Sequence, residues 1–465
     1  MSIPPTDPTA AERDRARELR RVVRECRAAK IQLVRFLYCG NDGVVRGKAA
    51  HTRFLPAFLQ SGIGLTVAMQ SFNMLDQLVA EGSFGPVGEV RLVPDPASFA
   101  VLPYAPGTAR MLCDMTTLDG QPWEACPRAF LRRMIARAAA QGFVFKAAME
   151  NEFTLARREN GRYVPLDHSP CFSTIGMDGA GPVMSEIIEA LGAQGVHPEQ
   201  YYAELGPGQQ ELPVRYADVL RAADNQITVR ETARAVAWRH GLYASFAPKP
   251  FADEAGNGAH VHFSLWRADS TENVFHDPRD AHGISEIARA FIGGVLAHLP
   301  ALVALTAPTV NSYRRLQPRF WCSAYTAWGP DNKEAAIRLP TPYRSARMES
   351  TNFELKPSDP SANPFLALGG VLAAGLDGIA AKRDPGEPTL VDPDTLSDAE
   401  RARRGIRRLP RSLGEALDEL ERDAVLRGAL GETLAKEYLI VKRSEVRAFD
   451  GKDAAFEIDQ HFYKF

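Results

Sequence analysis

Between residues 143 and 155 the chain alternates apolar and polar positions with a period of two. Phe145, Ala147, Met149, Phe153 and Leu155 fall on one face, and Lys146, Glu150, Glu152 and Thr154 on the other. This is the pattern of a strand with one packed face, yet its polar face carries two carboxylates two residues apart in AMENEF (148–153). Upstream, a charged helical pattern over 10–29 precedes the strand-like IQLVRFLYC, a GNDG turn and VVRGKAA, which together predict a β-hairpin. Further strands are expected at GLTVAMQ, EVRLVPD and MLCDM. The proline-containing turn before ACPRAFLRRMIARAAAQG starts a helix, which places a domain boundary near 115–125. Beyond it, helices at 184–194, 215–240, 283–304 and 362–382 alternate with strands.

The carboxylate-bearing face is not isolated. In GNGAHVHFSLW, His260, His262 and Ser264 share one face and Val261, Phe263 and Leu265 the other. In STNFELKP, Glu354 and Lys356 lie opposite Phe353 and Leu355, and in YYAELGPGQQEL a Gly-Pro-Gly turn can bring Glu204 and Glu211 together. A single strand histidine is more often a satisfied core residue than a ligand. Four strands turning carboxylate or imidazole to one face weaken that reading, because each unpaired buried group is destabilising. Something positive must sit among them, whether lysine, arginine or a metal ion. Five carboxylates and one imidazole without a thiolate suit magnesium or manganese better than structural zinc.

Composition narrows the partners. The 465 residues are 45% hydrophobic, enough for a large core in two or three domains, and the formal net charge of -2 gives no electrostatic case for nucleic acid or an anionic membrane. No apolar run is read as a membrane span and the N-terminus shows no signal-peptide core, so a cytoplasmic protein is expected. The six cysteines are scattered without CxxC pairs, which fits free thiols. The run ERARRGIRRLPRS (400–412) reads as a solvated linker or helix face.

The motifs MENEF, ELGPGQQE, PKPFADEAGNGAHVHFSL, NSYRRLQP, WGPDNKEAAIRLP and ELKPSDPSANPFLALGGVLAAGLDGI occur in an order that resembles the glutamine synthetase superfamily across nearly the whole chain. The resemblance implies an α+β protein. An N-terminal helix (1–28) and a β-grasp domain (29–118) would precede a catalytic α/β domain (119–465) whose antiparallel sheet carries the active site. It also implies a homo-oligomer of stacked hexameric rings, a dodecamer, with active sites between subunits. The implied reaction phosphorylates the γ-carboxylate of L-glutamate with ATP, and an amine then attacks the acyl phosphate. Two to three magnesium or manganese ions are implied. Glu152, Glu204 and Glu211 would hold the metal near glutamate, and Glu150, His260 and Glu354 the metal on the phosphates. His262 and Ser264 match nucleotide-side positions, and Tyr216 would face the adenine. Arg315 and Arg338 match catalytic arginines, while Gly256, Arg315 and Lys356 match the glutamate side.

The chain departs from this pattern at the amine. Ala68 or Met69 stands where ammonia-using relatives carry an aspartate, Cys171 beside Phe172 falls at a tyrosine position, and Trp321 replaces the flap glutamate. An ammonium site must attract a cation and then deprotonate it, which carboxylates do. Apolar volume at all three positions favours an organic primary amine, an alkylamine or arylamine, giving a γ-glutamylamide. No acidic residue is gained in these segments for the distal charge of a polyamine, although a polyamine, ethanolamine, ammonia itself or a non-catalytic sensing role remain the alternatives. Lys333, Lys356 and Asn352 stand where arginines are usual, and Asp394 where some bacterial relatives carry an adenylylated tyrosine.

Overall fold

The computed structural model describes residues 10–465; residues 1–9 of the expected N-terminal helix lie outside the described residues. Helix Ala10–Ala28 leads into a six-stranded sheet ordered Val45–His51, Leu33–Cys39, Thr108–Thr116, Glu89–Pro94, Ile63–Thr66, with Ala100–Val101 added on Thr108–Thr116. Leu33–Cys39 and Thr108–Thr116 run parallel and the other pairs antiparallel. Phe36, Met111 and Leu92 are fully buried beneath the helices, so this small sheet has a core of its own.

The larger domain is organised by the 17-residue strand Phe143–Glu159. Its sheet runs Trp328–Pro330, Ile337–Leu339, Phe353–Leu355, Ala259–Arg267, Phe143–Glu159, Gln209–Pro213, Tyr202–Ala203. It is antiparallel except for the pairing of Trp328–Pro330 with Ile337–Leu339. Phe145, Ala147 and Met149 face a core built with Val261, Phe263, Phe353 and the helices Glu286–Thr306 and Pro364–Ala381. The opposite face carries the polar residues.

Three expectations need correction, and the reading of no membrane span stands. The strand at GLTVAMQ ends at Thr66, whose side chain caps Ala68 N, and Val67–Ser71 turns into a 3-10 helix. The helix expected at 184–194 begins at Thr174, with Ser173 as its cap. Its glycines and Pro182 lower local propensity, but Ala180, Val183, Met184, Ile187 and Leu191 form a buried stripe that carries it. Two helices, Glu286–Thr306 and Pro364–Ala381, are long and apolar enough to cross a membrane by length and composition. Both are 78% buried inside the protein, and they pack so closely that a Cβ on Gly294 would lie 2.6 Å from Gly378 Cα. Their apolarity belongs to the core. The Arg-rich run is neither wholly linker nor helix: Asp398–Arg403 is helical, and Arg408 then pairs with Tyr325 in an isolated antiparallel bridge.

Candidate active site

Register brings the polar residues together. Glu150 lies opposite His260, Glu152 opposite Glu211, and Glu354 opposite both His262 and Arg338. The Gly206–Gln209 turn folds Glu204 back toward Glu211, with Glu204 N bonded to Gln209 O at 2.9 Å. Two cavities flank this face. One, of about 530 Å³, is lined by Glu152, Glu204, Glu211, Gly256, Arg315 and Lys356 among others. The second, of about 480 Å³, is lined by Lys146, Tyr216, His262, Ser264 and Asn352. Glu150, Tyr202 and Arg338 line both, so the cavities meet at a neck of three side chains.

The two sides of the neck differ in charge. Glu354 lies beside Arg338 and 3.1 Å from Lys356 Nζ, and its carboxyl is held down to about 2: burial opposes ionisation, but Lys356 overcomes it. Glu150 lies 3.3 Å from His260 Nδ1 and 3.0 Å from His262 Nε2. Against its burial, the charge of His262 holds Glu150 well below the usual carboxylate range, and Glu150 in turn lifts the buried His262 to about 9. His260 is pushed down by burial and by Lys356, and its Nε2 lies 3.0 Å from Arg315. On the other side, burial and then Glu152 and Glu150 push Glu211 up to about 10. Burial and Glu152 also raise Glu204. Glu152 itself accepts hydrogen bonds from Gln209 Nε2 at 2.9 Å and Gly258 N at 2.8 Å.

This donor set fits a hard divalent cation. Glu152, Glu204 and Glu211 crowd together, and burial with the neighbouring carboxylates suppresses the ionisation of Glu204 and Glu211, the electrostatic complement of a cation. Across the neck, ligand atoms of Glu150, His262 and Glu354 all lie within 4.8 Å of one another. His262 Nε2 is buried and, despite its 3.0 Å approach to Glu150, is not aligned for a hydrogen bond. Both His260 and His262 therefore lie within reach of this group, whereas the resemblance implied His260 alone.

The remaining expected residues divide. Tyr216 lies nearly parallel to Trp266 at 6.3 Å, with Lys146 over both rings. A Cβ on Gly256 would lie 2.3 Å from Pro248 O and 3.2 Å from Arg315, so only glycine fits this approach. Trp321 and Phe172 line the 530 Å³ cavity, each 57% exposed and each with positive φ. Trp321 N donates to Glu334 Oε1 at 2.8 Å and its ring lies beneath Lys333. Cys171 does not line that cavity, but its Sγ lies 3.7 Å from Glu204 Oε2, and burial with Glu204 pushes the thiol up to about 11. Ala68 and Met69 are not brought to it within one chain: Ala68 is buried and Met69 packs on the small domain's core.

Sequence reasoning passed over Tyr202, which lies opposite Glu211 in the strand register and shares a strand face with Glu204, and Gln209, which bridges Glu152, Gly256 O and Asn257. It also passed over Asp253, Glu254 and Phe320, which line the same cavity. Tyr202 was legible from its spacing to Glu204; nothing in the sequence marks Glu334 as the flap's anchor.

Comparison with known proteins accounts for this arrangement. The family models described as the glutamine synthetase N-terminal domain and the glutamine synthetase catalytic domain match residues 17–123 and 124–461. The chain is 39% identical over 420 residues to the gamma-glutamylpolyamine synthetase GlnA3 of Streptomyces coelicolor, covering 90% of each. It is 39% identical over 384 residues to the glutamine synthetase of Halobacterium salinarum, covering 81% of this chain and 84% of the relative. Among solved structures, a novel glutamine synthase homolog superposes with TM-score 0.84 at 33% identity, covering 94% of this chain and 99% of the other. A GmaS/ADP complex superposes with TM-score 0.82 at 30% identity, covering 94% and 98%. The chain therefore belongs to the glutamine synthetase family, ATP-dependent ligases that form carbon–nitrogen bonds with the help of divalent metal ions.

Proposed function

We propose that this ligase joins the γ-carboxylate of L-glutamate to an organic primary amine through γ-glutamyl phosphate, releasing ADP and phosphate. The observation that carries this reading is Trp321: the flap of the 530 Å³ cavity presents an exposed indole, joined on the lining by Phe172, Phe320 and Leu205. An apolar wall of this kind favours an alkyl or aryl group through area burial and gives an ammonium ion no counter-charge.

The remaining residues divide the work. Glu150, Glu152, Glu204, Glu211 and Glu354, with His260 or His262, would hold two to three magnesium or manganese ions. Bound there, the ions would neutralise phosphate charge for in-line transfer. ATP would enter beside Tyr216, His262 and Ser264, and glutamate beside Gly256, Arg315 and Lys356. Arg338 lines both cavities and is suited to stabilise charge on the transferred phosphoryl group. The attacking nitrogen must be neutral, and an arylamine already is at neutral pH.

A second reading has its own support. Asp253 and Glu254 line the same cavity and could meet the distal charge of a polyamine, the substrate class named for the gamma-glutamylpolyamine synthetase GlnA3. Phosphate release from ATP with magnesium and glutamate, measured against ammonium, methylamine, isopropylamine, ethanolamine, putrescine and aniline with mass detection of the amide, separates these readings. Turnover with ammonium alone would overturn the organic-amine assignment.

The ring assembly belongs to the same proposal. Ala68 and Met69 lie off the cavity of their own chain, so they could meet an amine only in a neighbour's site. Light scattering should give a mass near twelve chains of 51.0 kDa.

A further inference from the structure

A basic cavity lies away from the catalytic sheet. Its volume is about 660 Å³, and its lining includes Arg401, Arg407, Arg408 and Arg411 against one carboxylate, Asp398. That carboxylate is committed to Arg401, 2.5 Å away, which also donates to the carbonyls of Pro393 and Leu396. The other three guanidiniums are poorly satisfied. Among the described residues Arg408 makes only two hydrogen bonds, both long at 3.4 Å, to Ala324 O and Gln317 Oε1. Among the described residues Arg407 and Arg411 have no side-chain hydrogen bond or ion pair. Three like charges sharing one concavity repel one another, and a bound multivalent anion reverses that repulsion into charge-assisted bonding.

The cavity is wired to the flap. Arg401 and Arg408 lie 5.1 and 5.2 Å from the centroid of the Tyr325 ring, which forms part of the lining. The Tyr325 hydroxyl donates to Asp394 Oδ1 at 2.8 Å, and Asp394 Oδ2 lies 3.3 Å from Arg319. Arg319 lines the catalytic cavity two residues before Trp321. The backbones are joined as well: Thr326 N donates to Arg407 O at 2.8 Å and Leu409 N to Ala324 O at 2.9 Å. Arg319, Trp321 and Ser323 all hold positive φ, so the flap adopts a backbone that its own residues do not favour and depends on its anchors.

We propose that this arginine-lined cavity is an effector site for a compact multivalent anion, a phosphate-bearing or polycarboxylate ligand, which steadies the flap through Tyr325, Asp394 and Arg319. The ligand closes on Arg407, Arg408 and Arg411. It fixes Arg408 against Tyr325, which fixes Asp394 and its partner on the flap. The inference does not depend on which amine the enzyme uses.

Calorimetry tests it with inorganic pyrophosphate and citrate as separate probes, on the full chain with its nucleotide site filled by a non-hydrolysable ATP analogue and magnesium. One equivalent per chain of either probe is expected, and the stronger binder identifies the phosphate or carboxylate source. Arg407→Ala/Arg411→Ala, both exposed, should weaken it about tenfold or more while analogue binding is unchanged. Acrylamide quenching of Trp321, assigned by its loss in Trp321→Phe, should fall when the probe binds. Tyr325→Phe should keep the binding and lose the protection. No binding of either probe, or binding indifferent to the arginine substitutions, overturns the site; unchanged quenching of Trp321 in the bound protein overturns the coupling. A change in chain association in the double variant without loss of probe binding would assign the arginines to contacts between copies and also overturn it.

Discussion

Replacing Arg128 by methionine tests the joint between the domains. Arg128, on helix Pro127–Ala139, is 2% exposed and makes five hydrogen bonds to three carboxylates. Two go to Asp224 at 3.2 and 2.9 Å, two to Asp114 at 3.1 and 3.0 Å, and one to Asp95 at 2.8 Å. Asp95 and Asp114 belong to the small domain and Asp224 to helix Val219–Arg239, so one guanidinium holds both. The losses are unequal. Arg132 still pairs with Asp95 at 2.8 Å and Asp114 at 3.1 Å, so each of these costs about 0.5 kcal/mol. Asp224 is left buried without its partner, a change of the class that costs about 3–5 kcal/mol, reduced here by the nearby charge of Arg110. A total of about 3–4 kcal/mol is expected. With an unfolding entropy of about 2.1 cal/mol/K per residue, 465 residues give about 1 kcal/mol per degree, so the melting temperature should fall by about 3–4 °C. The decisive arm is Arg128→Met/Asp224→Leu, which removes both buried charges and should recover most of the loss, leaving a cost of about 1 kcal/mol. Asp95 is also informative: burial opposes it, but Arg128 holds its carboxyl below the usual value. That contribution is present above the unfolded pKa and lost as pH falls through the folded one, so Arg128→Met should flatten the acid side of the stability profile. A cost below about 1 kcal/mol, or no rescue by Asp224→Leu, would refute the reasoning.

Three further outcomes are expected. Trp321→Glu should raise ammonium-dependent turnover relative to organic amines, and an unchanged ratio in the amine panel would remove Trp321 from the amine site. Gly258→Ala should cut kcat/KM by about a hundredfold or more with little change in melting temperature. Its Cβ would lie 2.4 Å from Arg315, 2.8 Å from His260 and 3.0 Å from Glu152. Near-normal kinetics would show that these groups need not stay where they are. His298 lies 2.6 Å from Asp423 and 3.0 Å from Asp377, and despite partial burial these bonds raise its pKa. The stability it contributes is full below the unfolded pKa, about 6.5, and is lost as pH rises through the folded value. His298→Gln should therefore be destabilising at pH 6 and nearly neutral at pH 9 in urea unfolding; equal effects at both would exclude a charged His298.

The catalytic sheet was legible because its two faces obey opposite rules. Phe145, Ala147 and Met149 are buried as the alternation requires, and Glu150, His260 and Glu354 lie on neighbouring strands with the polar sides together. Burial of polar groups is costly enough that four such strands had to share one site. What the pattern could not show is pairing at a distance. Nothing local tells that Tyr325 meets Arg408, 83 positions on by sequence number, or that Glu334 anchors Trp321. The expected helix left out residues 174–183, where glycine and proline depress helix propensity, and tertiary burial overrode that. Ala68 and Met69 looked equivalent to pocket residues in the one-dimensional motif, yet Thr66 ends the strand and the 3-10 turn sends both into the small domain.

The neck formed by Glu150, Tyr202 and Arg338 makes the enzyme a chamber with two doors. With nucleotide and amide in separate cavities, as proposed, neither product would have to wait for the other to clear a common exit. With the substrates placed as proposed, an inhibitor confined to the nucleotide cavity would compete with ATP, and one confined to the other with glutamate and the amine. A molecule threaded through the neck, with a phosphonate at Arg338, a purine toward Tyr216 and an amino acid toward Arg315, would compete with ATP and with glutamate alike.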